Sequence, residues 1–121
     1  MVLKFIDKEF AVCQVKNFSN INLEDEFLFI GKTDNELSLV CEEKSIPNDV
    51  VKADCGWMGF RIEGTLDFSL IGILSKISTI LAENKIGIFA ISTYDTDYIL
   101  VKKENIENAK IALKDNGYSV I

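Results

Sequence analysis

The stretch Asp67-Phe-Ser-Leu-Ile-Gly-Ile-Leu-Ser-Lys-Ile-Ser-Thr-Ile-Leu-Ala-Glu-Asn84 decides how the rest of the chain is read. Within it Leu70, Ile73, Leu74, Ile77, Ile80 and Leu81 recur at three- and four-residue spacing, which puts them on one stripe of an α-helix. Asp67 or Ser69 can cap the start by accepting a bond from an orphan backbone N–H, and Asn84 can end the helix in a left-handed turn. Such a stripe needs a surface to cover, and strand-like segments flank it on both sides.

Before the helix, Met58, Phe60 and Ile62 alternate with small or charged neighbours, the two-residue period of a strand. After it, residues 86–93 form a nearly continuous apolar run, as in a strand covered on both faces or lying in an interface. Tyr94-Asp-Thr-Asp97 supplies turn-prone residues and Tyr98-Ile-Leu-Val101 returns at hairpin distance, so these two strands are expected to pair antiparallel. Residues 104–116 place Ile106, Ala109, Ala112 and Leu113 on one helical face, with acidic residues in the first turn and Gly117 as the stop. A last strand fits in 118–121. The predicted order from residue 57 onward is therefore strand, helix, strand, strand, helix, strand.

The first half is less regular. Residues 10–16, 27–30 and 37–42 read as strands, while the gap from Lys16 to Phe27 holds a short helix or a loop built on Ile21 and Leu23. The Ile46-Pro47 region leaves no room for a long second helix. An internal echo links the halves: Thr33-Asp-Asn-Glu-Leu-Ser-Leu-Val40 aligns with Tyr94-Asp-Thr-Asp-Tyr-Ile-Leu-Val101 at an offset of 61. On that register Asp34 matches Asp95, Glu36 matches Asp97, and each half carries one β-hairpin.

Gly72-Ile-Leu-Ser-Lys-Ile-Ser-Thr-Ile-Leu-Ala-Glu-Asn-Lys-Ile-Gly-Ile88 resembles the strand-helix-strand signature of the ACT domain. The longer segment 60–101 is similar to a subgroup of short tandem-ACT proteins, an arrangement that the regulatory domains of aspartate kinases and the eukaryotic arginine-sensing ACT proteins resemble. The resemblance implies an α+β fold of two ferredoxin-like βαββαβ units: a degenerate first unit, 1–56, with reduced helices, and an ACT domain, 57–121. It implies a small-molecule-sensing regulatory module that binds an amino acid at the interface between ACT units, and a homodimer. One departure stands out, because many ACT domains carry Pro-Gly at the start of the first helix and here Ile71 precedes Gly72. Without a proline to preset the first turn, the helix start is expected to shift by a few residues.

Two clusters are candidate ligand contacts. In the loop 64–70, Gly64 frees the backbone to bend, Asp67 and Ser69 offer polar atoms, Leu70 can cover a ligand stem and Phe68 is a further candidate contact, next to a helix start whose free N–H groups suit a carboxylate. Ordinary capping beside a glycine turn explains the same residues. The second cluster is Ser92-Thr93-Tyr94-Asp95-Thr96-Asp97, where a carboxylate can hold an ammonium or guanidinium group. In the arginine-sensing relatives the matching aspartate of a similar Ser-Thr-aromatic-x-x-Asp run contacts ligand, which implies Asp97 as the charged contact with Thr93 and Tyr94 beside it. A tight hairpin uses the same residue types, so a purely structural role stays open.

Composition excludes more than it identifies. The 121 residues, 48% of them hydrophobic, are enough for a core. A net charge of −6 with no basic cluster repels phosphate backbones, so no nucleic acid is expected as partner. Apolar runs are far shorter than the ~20 residues of a membrane span, so the chain reads as cytoplasmic with no membrane partner. Cys13, Cys41 and Cys55 show no CxxC spacing and there is no histidine, so no metal, cofactor or disulfide is expected. Cys13 and Cys41 sit in strand patterns as small hydrophobes, and Cys55 beside Gly56 is expected to be exposed. Catalysis would rest on Glu63, Asp67, Asp95 and Asp97 alone, with no phosphate cradle beside them, and is not expected. The competing reading is a dimerisation or protein-docking module that binds no ligand.

Overall fold

Among residues 1–64 and 72–121, which the computed structural model describes, the chain runs β1 (Val2–Val15), β2 (Leu28–Lys32), β3 (Leu37–Glu42), β4 (Lys52–Ile62), α1 (Ile73–Glu83), β5 (Phe89–Ser92), β6 (Asp97–Lys102), α2 (Ile106–Asp115) and β7 (Ser119–Val120). From β4 onward this is the predicted strand-helix-strand-strand-helix-strand order. The contacts divide the chain into a first unit, Met1–Asp7 with Met58–Ile121, and a second unit, Lys8–Trp57. Residues 1–7 thus pack with the C-terminal part, where the sequence reading drew a single cut between 56 and 57. β1 and β4 each contribute a segment to both units.

In the first unit the strands lie in the order β7-β1-β4-β6-β5. β7 runs parallel to β1, with Leu3 opposite Val120, and β5 pairs antiparallel with β6, with Ala90 opposite Ile99. Alternation sends Leu3 and Phe5 of β1, Phe60 and Ile62 of β4, and Ile99 and Val101 of β6 into one core. The helical stripes meet them there: Ile77 and Leu81 of α1 and Ala109 and Leu113 of α2 are buried, with Ile73, Leu74, Ile80 and Ile106 packed around them. Each such large side chain stabilises the fold by roughly 1.5–3 kcal/mol on burial. Phe5 stacks on Phe60 with ring centroids 4.7 Å apart. Gly59 lets β4 and β6 approach closely, since a Cβ there would stand 2.4 Å from Leu100 Cδ2 and 3.0 Å from the Ile99 carbonyl oxygen.

Both helices end alike. Lys85 N–H donates to the Ala82 carbonyl and Ile86 N–H to that of Leu81, while Gly117 N–H donates to Lys114 and Tyr118 N–H to Leu113. These are paired Schellman bonds that satisfy carbonyls left over at a helix C-terminus. Asn84 and Asn116 add side-chain bonds to the carbonyls of Ile80 and Ala112. The left-handed residue closing α1 is Lys85, at φ 60°, one position beyond the Asn84 that the sequence suggested. Ile86 then turns into the helix-covered core, which is why the strand expected over 86–93 is confined to Phe89–Ser92.

The second unit has the strand order β2-β3-β1-β4 and no α-helix. β3 pairs antiparallel with both β1 and β2. Ala11, Cys13, Val15, Leu39 and Cys41 form its core, covered by Phe18, Ile21, Ile46 and Val50 from the connections. Sequence reading started β1 at residue 10, but it starts at Val2: Lys4, Asp7, Lys8 and Glu9 mask the alternation of Leu3 and Phe5.

The two hairpins do repeat, at an offset of 60 and not 61. Thr33 N–H donates to the Glu36 carbonyl as Thr93 N–H does to that of Thr96, and the next pairs outward are Lys32 with Leu37 and Ser92 with Asp97. Each returning strand runs into a short 3₁₀ turn, Glu43–Ser45 and Lys103–Asn105. A single-residue slip exchanges the faces of every side chain in a strand. The structural counterpart of Asp97 is therefore Leu37, not Glu36.

Candidate functional site

Of the residues singled out from the sequence, Asp67, Phe68, Ser69 and Leu70 lie outside the described residues. α1 begins at Ile73, with Gly72 at its N-cap position in left-handed backbone and no side-chain cap hydrogen bond. Gly64, Thr93, Tyr94 and Asp97 are described, and all four stand at one end of the first unit.

Topology brings them there. β4 runs toward Gly64, α1 returns, β5 runs back up to Ser92, and the hairpin delivers Asp97 as the first residue of β6, the strand between β5 and β4. Thr96 makes the link: its side chain, only 7% exposed, donates an Oγ1 hydrogen bond of 2.7 Å to the Ile62 carbonyl, two residues before Gly64. Gly64 has φ 89°, a left-handed turn that a glycine adopts at no steric cost. Thr93 closes the hairpin through its backbone, and its hydroxyl donates to the Thr96 carbonyl at 3.0 Å.

Asp97 is half-buried, and its Oδ1 accepts a 2.6 Å hydrogen bond from Ser92 Oγ, its cross-strand partner. It precedes Ile99 and Val101 on the face that carries the helices. No described cation pairs with it. Arg61 alternates onto the other face of the sheet with Tyr98, where it bonds Glu63 at 3.1 Å and the Tyr98 hydroxyl at 3.4 Å, and these two hold its guanidinium more firmly charged. The end of the sheet thus presents a carboxylate oriented by one hydroxyl, with Tyr94 82% exposed at the hairpin tip. It can accept from an ammonium or guanidinium group. Thr96 escaped the sequence reading as a structural tie. Its signal is the Thr-x-x-Thr spacing, two hydroxyl residues bracketing a tight turn.

A groove of about 500 Å³ lies apart from these residues, between α1 and the end of α2, and is lined by Lys76, Thr79, Glu83, Asn116 and Tyr118 among others. Cys13 and Cys41 are buried and Cys55 is exposed, as expected. Among the described residues no three His, Cys, Asp or Glu side chains come together as metal ligands, and no helix is long and apolar enough to cross a membrane.

Comparison with known proteins gives a consistent picture. A protein of Agrobacterium tumefaciens is 33% identical, with a TM-score of 0.86 over 98% of this chain and 90% of its own. A Vibrio cholerae protein of unknown function, described as a possible transport protein, is 23% identical with a TM-score of 0.72 over 94% of this chain and 88% of its own. The ligand-free regulatory subunit of aspartate kinase from Thermus thermophilus has the same fold at 9% identity, with a TM-score of 0.62 over 95% of this chain and 96% of its own. No curated protein sequence matches. Residues 8–49 match a family model described as an N-terminal domain, and residues 52–115 match that of the ACT domain. With the βαββαβ order of its first unit and more than half its length inside that match, the chain belongs to the ACT domain family.

Proposed function

We propose that this chain is a ligand-sensing regulatory module, without catalytic activity, that binds an amino acid at the end of the first unit where Gly64 and the β5–β6 hairpin meet. The observation that carries the reading is Asp97: a half-buried carboxylate, oriented by Ser92, with no cation partner among the described residues. A bound ammonium group supplies that partner. Thr93 and Tyr94 border the same end, and Gly64 leads into the segment that holds Asp67, Phe68, Ser69 and Leu70, which are proposed to complete the contacts. The fold shared with an aspartate kinase regulatory subunit is consistent with control of another protein rather than chemistry on a substrate.

Thermal unfolding in the presence of each of the twenty amino acids tests the reading. A ligand specific to the folded state adds about 2.7 kcal/mol at one hundred times its dissociation constant. At least one amino acid is expected to raise the Tm in this way, and a flat response to all twenty at millimolar concentration would replace the sensor by a docking module. The same proposal includes self-association of a cytoplasmic protein. β5 is the last strand of its sheet, and an uncovered edge pairs readily with a second copy. Sedimentation is expected to give about twice the chain mass of 13.6 kDa.

A further inference from the structure

The repeat at offset 60 places a second hairpin mouth on the molecule, in the second unit, built on the same backbone. Its turn bonds match one for one, with Thr33 and Glu36 where the first unit has Thr93 and Thr96. The side chains differ at the three positions that place and orient the carboxylate, while Thr33 repeats Thr93. Asp97 is replaced by Leu37, which packs against the core of the second unit. Ser92, which orients Asp97, is replaced by the exposed Lys32. Thr96, which ties the first hairpin to the Ile62 carbonyl, is replaced by an exposed Glu36.

These exchanges act in one direction. An ammonium group entering the second mouth meets the Lys32 ammonium at the position of an orienting hydroxyl, and a leucine where the carboxylate stood. The Lys32 charge is exposed and screened by solvent, so what closes this mouth to an ammonium group is the missing carboxylate, with an apolar Leu37 in its place. Glu36 does not restore the site. It occupies the turn position, not the strand position, and it is solvated, where a single charge pair contributes little.

We infer that the chain binds one amino acid and not two: the β5–β6 mouth is the only one of the two repeated hairpins that takes the ammonium end of a ligand, and Asp97, absent from the repeat, selects it. The inference rests on the proposed sensor function and adds its stoichiometry and the residue that sets it.

Equilibrium dialysis of the full chain against an equimolar mixture of the twenty amino acids, each at about millimolar level, reads both points at once. The amino acid retained inside is identified and counted per chain by chromatography. One equivalent is expected for the wild type and for Lys32→Ala, and about tenfold less or lower for Asp97→Asn at subsaturating concentration. Two equivalents per chain, or loss of retention in Lys32→Ala with Asp97→Asn unaffected, would overturn the single-site assignment while leaving the sensor intact. Retention of none by the wild type would remove the sensor function itself, and the assignment with it. Circular dichroism of each variant checks that any loss is not unfolding.

Discussion

The two units are built on the same hairpin, yet one carries helices and the other does not. In the first unit α1 and α2 lay continuous apolar stripes over Leu3, Phe60, Ile62, Ile99 and Val101. In the second, Phe18, Ile21, Ile46 and Val50 reach in from connections to cover Ala11, Cys13, Leu39 and Cys41. Charge divides as unevenly: the second unit holds ten acidic and five basic residues, the first nine and eight, so nearly all of the net −6 belongs to the helix-poor unit. Helix-covered cores are close-packed from rigid elements, whereas loop covers can settle when a side chain is removed. The difference teaches that a repeated backbone need not repeat its side-chain chemistry. One mouth keeps Ser92, Thr96 and Asp97, and the other has become a charged, solvated turn.

The largest expected effects compare these covers directly. Ile99 and Leu39 occupy equivalent positions at offset 60, and each is fully buried. Truncation of such a side chain to alanine costs about 2–5 kcal/mol, more where the surroundings cannot collapse into the void. Ile99→Ala is therefore expected near the upper end and Leu39→Ala near the lower, measured by urea unfolding. Equal losses would mean that the loop cover is as rigid as the helical one, and the contrast would fail.

Asp97 tests the functional side of the comparison. Asp97→Asn keeps the shape and removes the charge, and is expected to weaken amino acid binding by about 1.5–3 kcal/mol, the range of a charge-assisted hydrogen bond. Stability without ligand should stay close to wild type, because Asn can still accept the Ser92 hydrogen bond. A loss of stability with unchanged affinity would reduce Asp97 to a hairpin residue.

How much of this was legible in the sequence follows the same division. The stripe from Ile73 to Leu81 and the alternation through Phe60 and Ile62 reveal the first unit, because long periodic patterns survive local noise. The second unit has no helical period to read. Charged positions hide the first half of β1, and the sequence favours an offset of 61 because Leu39-Val40 matches Leu100-Val101 more closely than its structural partners, Ile99 and Leu100. Only the Thr33 and Thr93 backbone bonds settle that register. The candidate site was half legible: Asp97 and Thr93 follow from a motif, while the Thr96 tie to Ile62 joins residues 34 apart and leaves no local signature.

The cysteines, all in the second unit, give that unit a distinct alkaline weakness. Burial, reinforced by the neighbouring Cys13, pushes the Cys41 thiol from 9.0 up to about 12, and burial raises Cys13 as well. The folded chain therefore keeps a proton that the unfolded chain has released. The Cys41 contribution is complete below about pH 9 and is lost as pH rises through about 12, at about 1.4 kcal/mol per pH unit. Unfolding midpoints in urea, followed from neutral to alkaline pH, should fall more steeply for wild type than for Cys41→Ala. Parallel curves would show that the thiol ionises equally in both states. At neutral pH a thiol reagent should modify the exposed Cys55 quickly and the two buried thiols only on opening.

The smallest effect asks what it took for the first unit to keep its helices. α1 and α2 close with the same pair of bonds, but the left-handed position holds Lys85 in one and Gly117 in the other, at φ 60° and 92°. A side chain there pays a steric penalty of about 1–2 kcal/mol that glycine avoids. Glycine also gives the unfolded chain more freedom to lose, which cancels about half of the gain. Lys85→Gly should accordingly stabilise the protein by about 0.5–1 kcal/mol, seen as a small rise in Tm, whereas Gly117→Ala should destabilise it by a similar amount. Opposite signs at the two ends would show that both helices are held by the same closing turn. A loss of stability in Lys85→Gly would instead mean that the lysine side chain contributes more than its backbone costs, and the likeness of the two helix ends would stop at their hydrogen bonds.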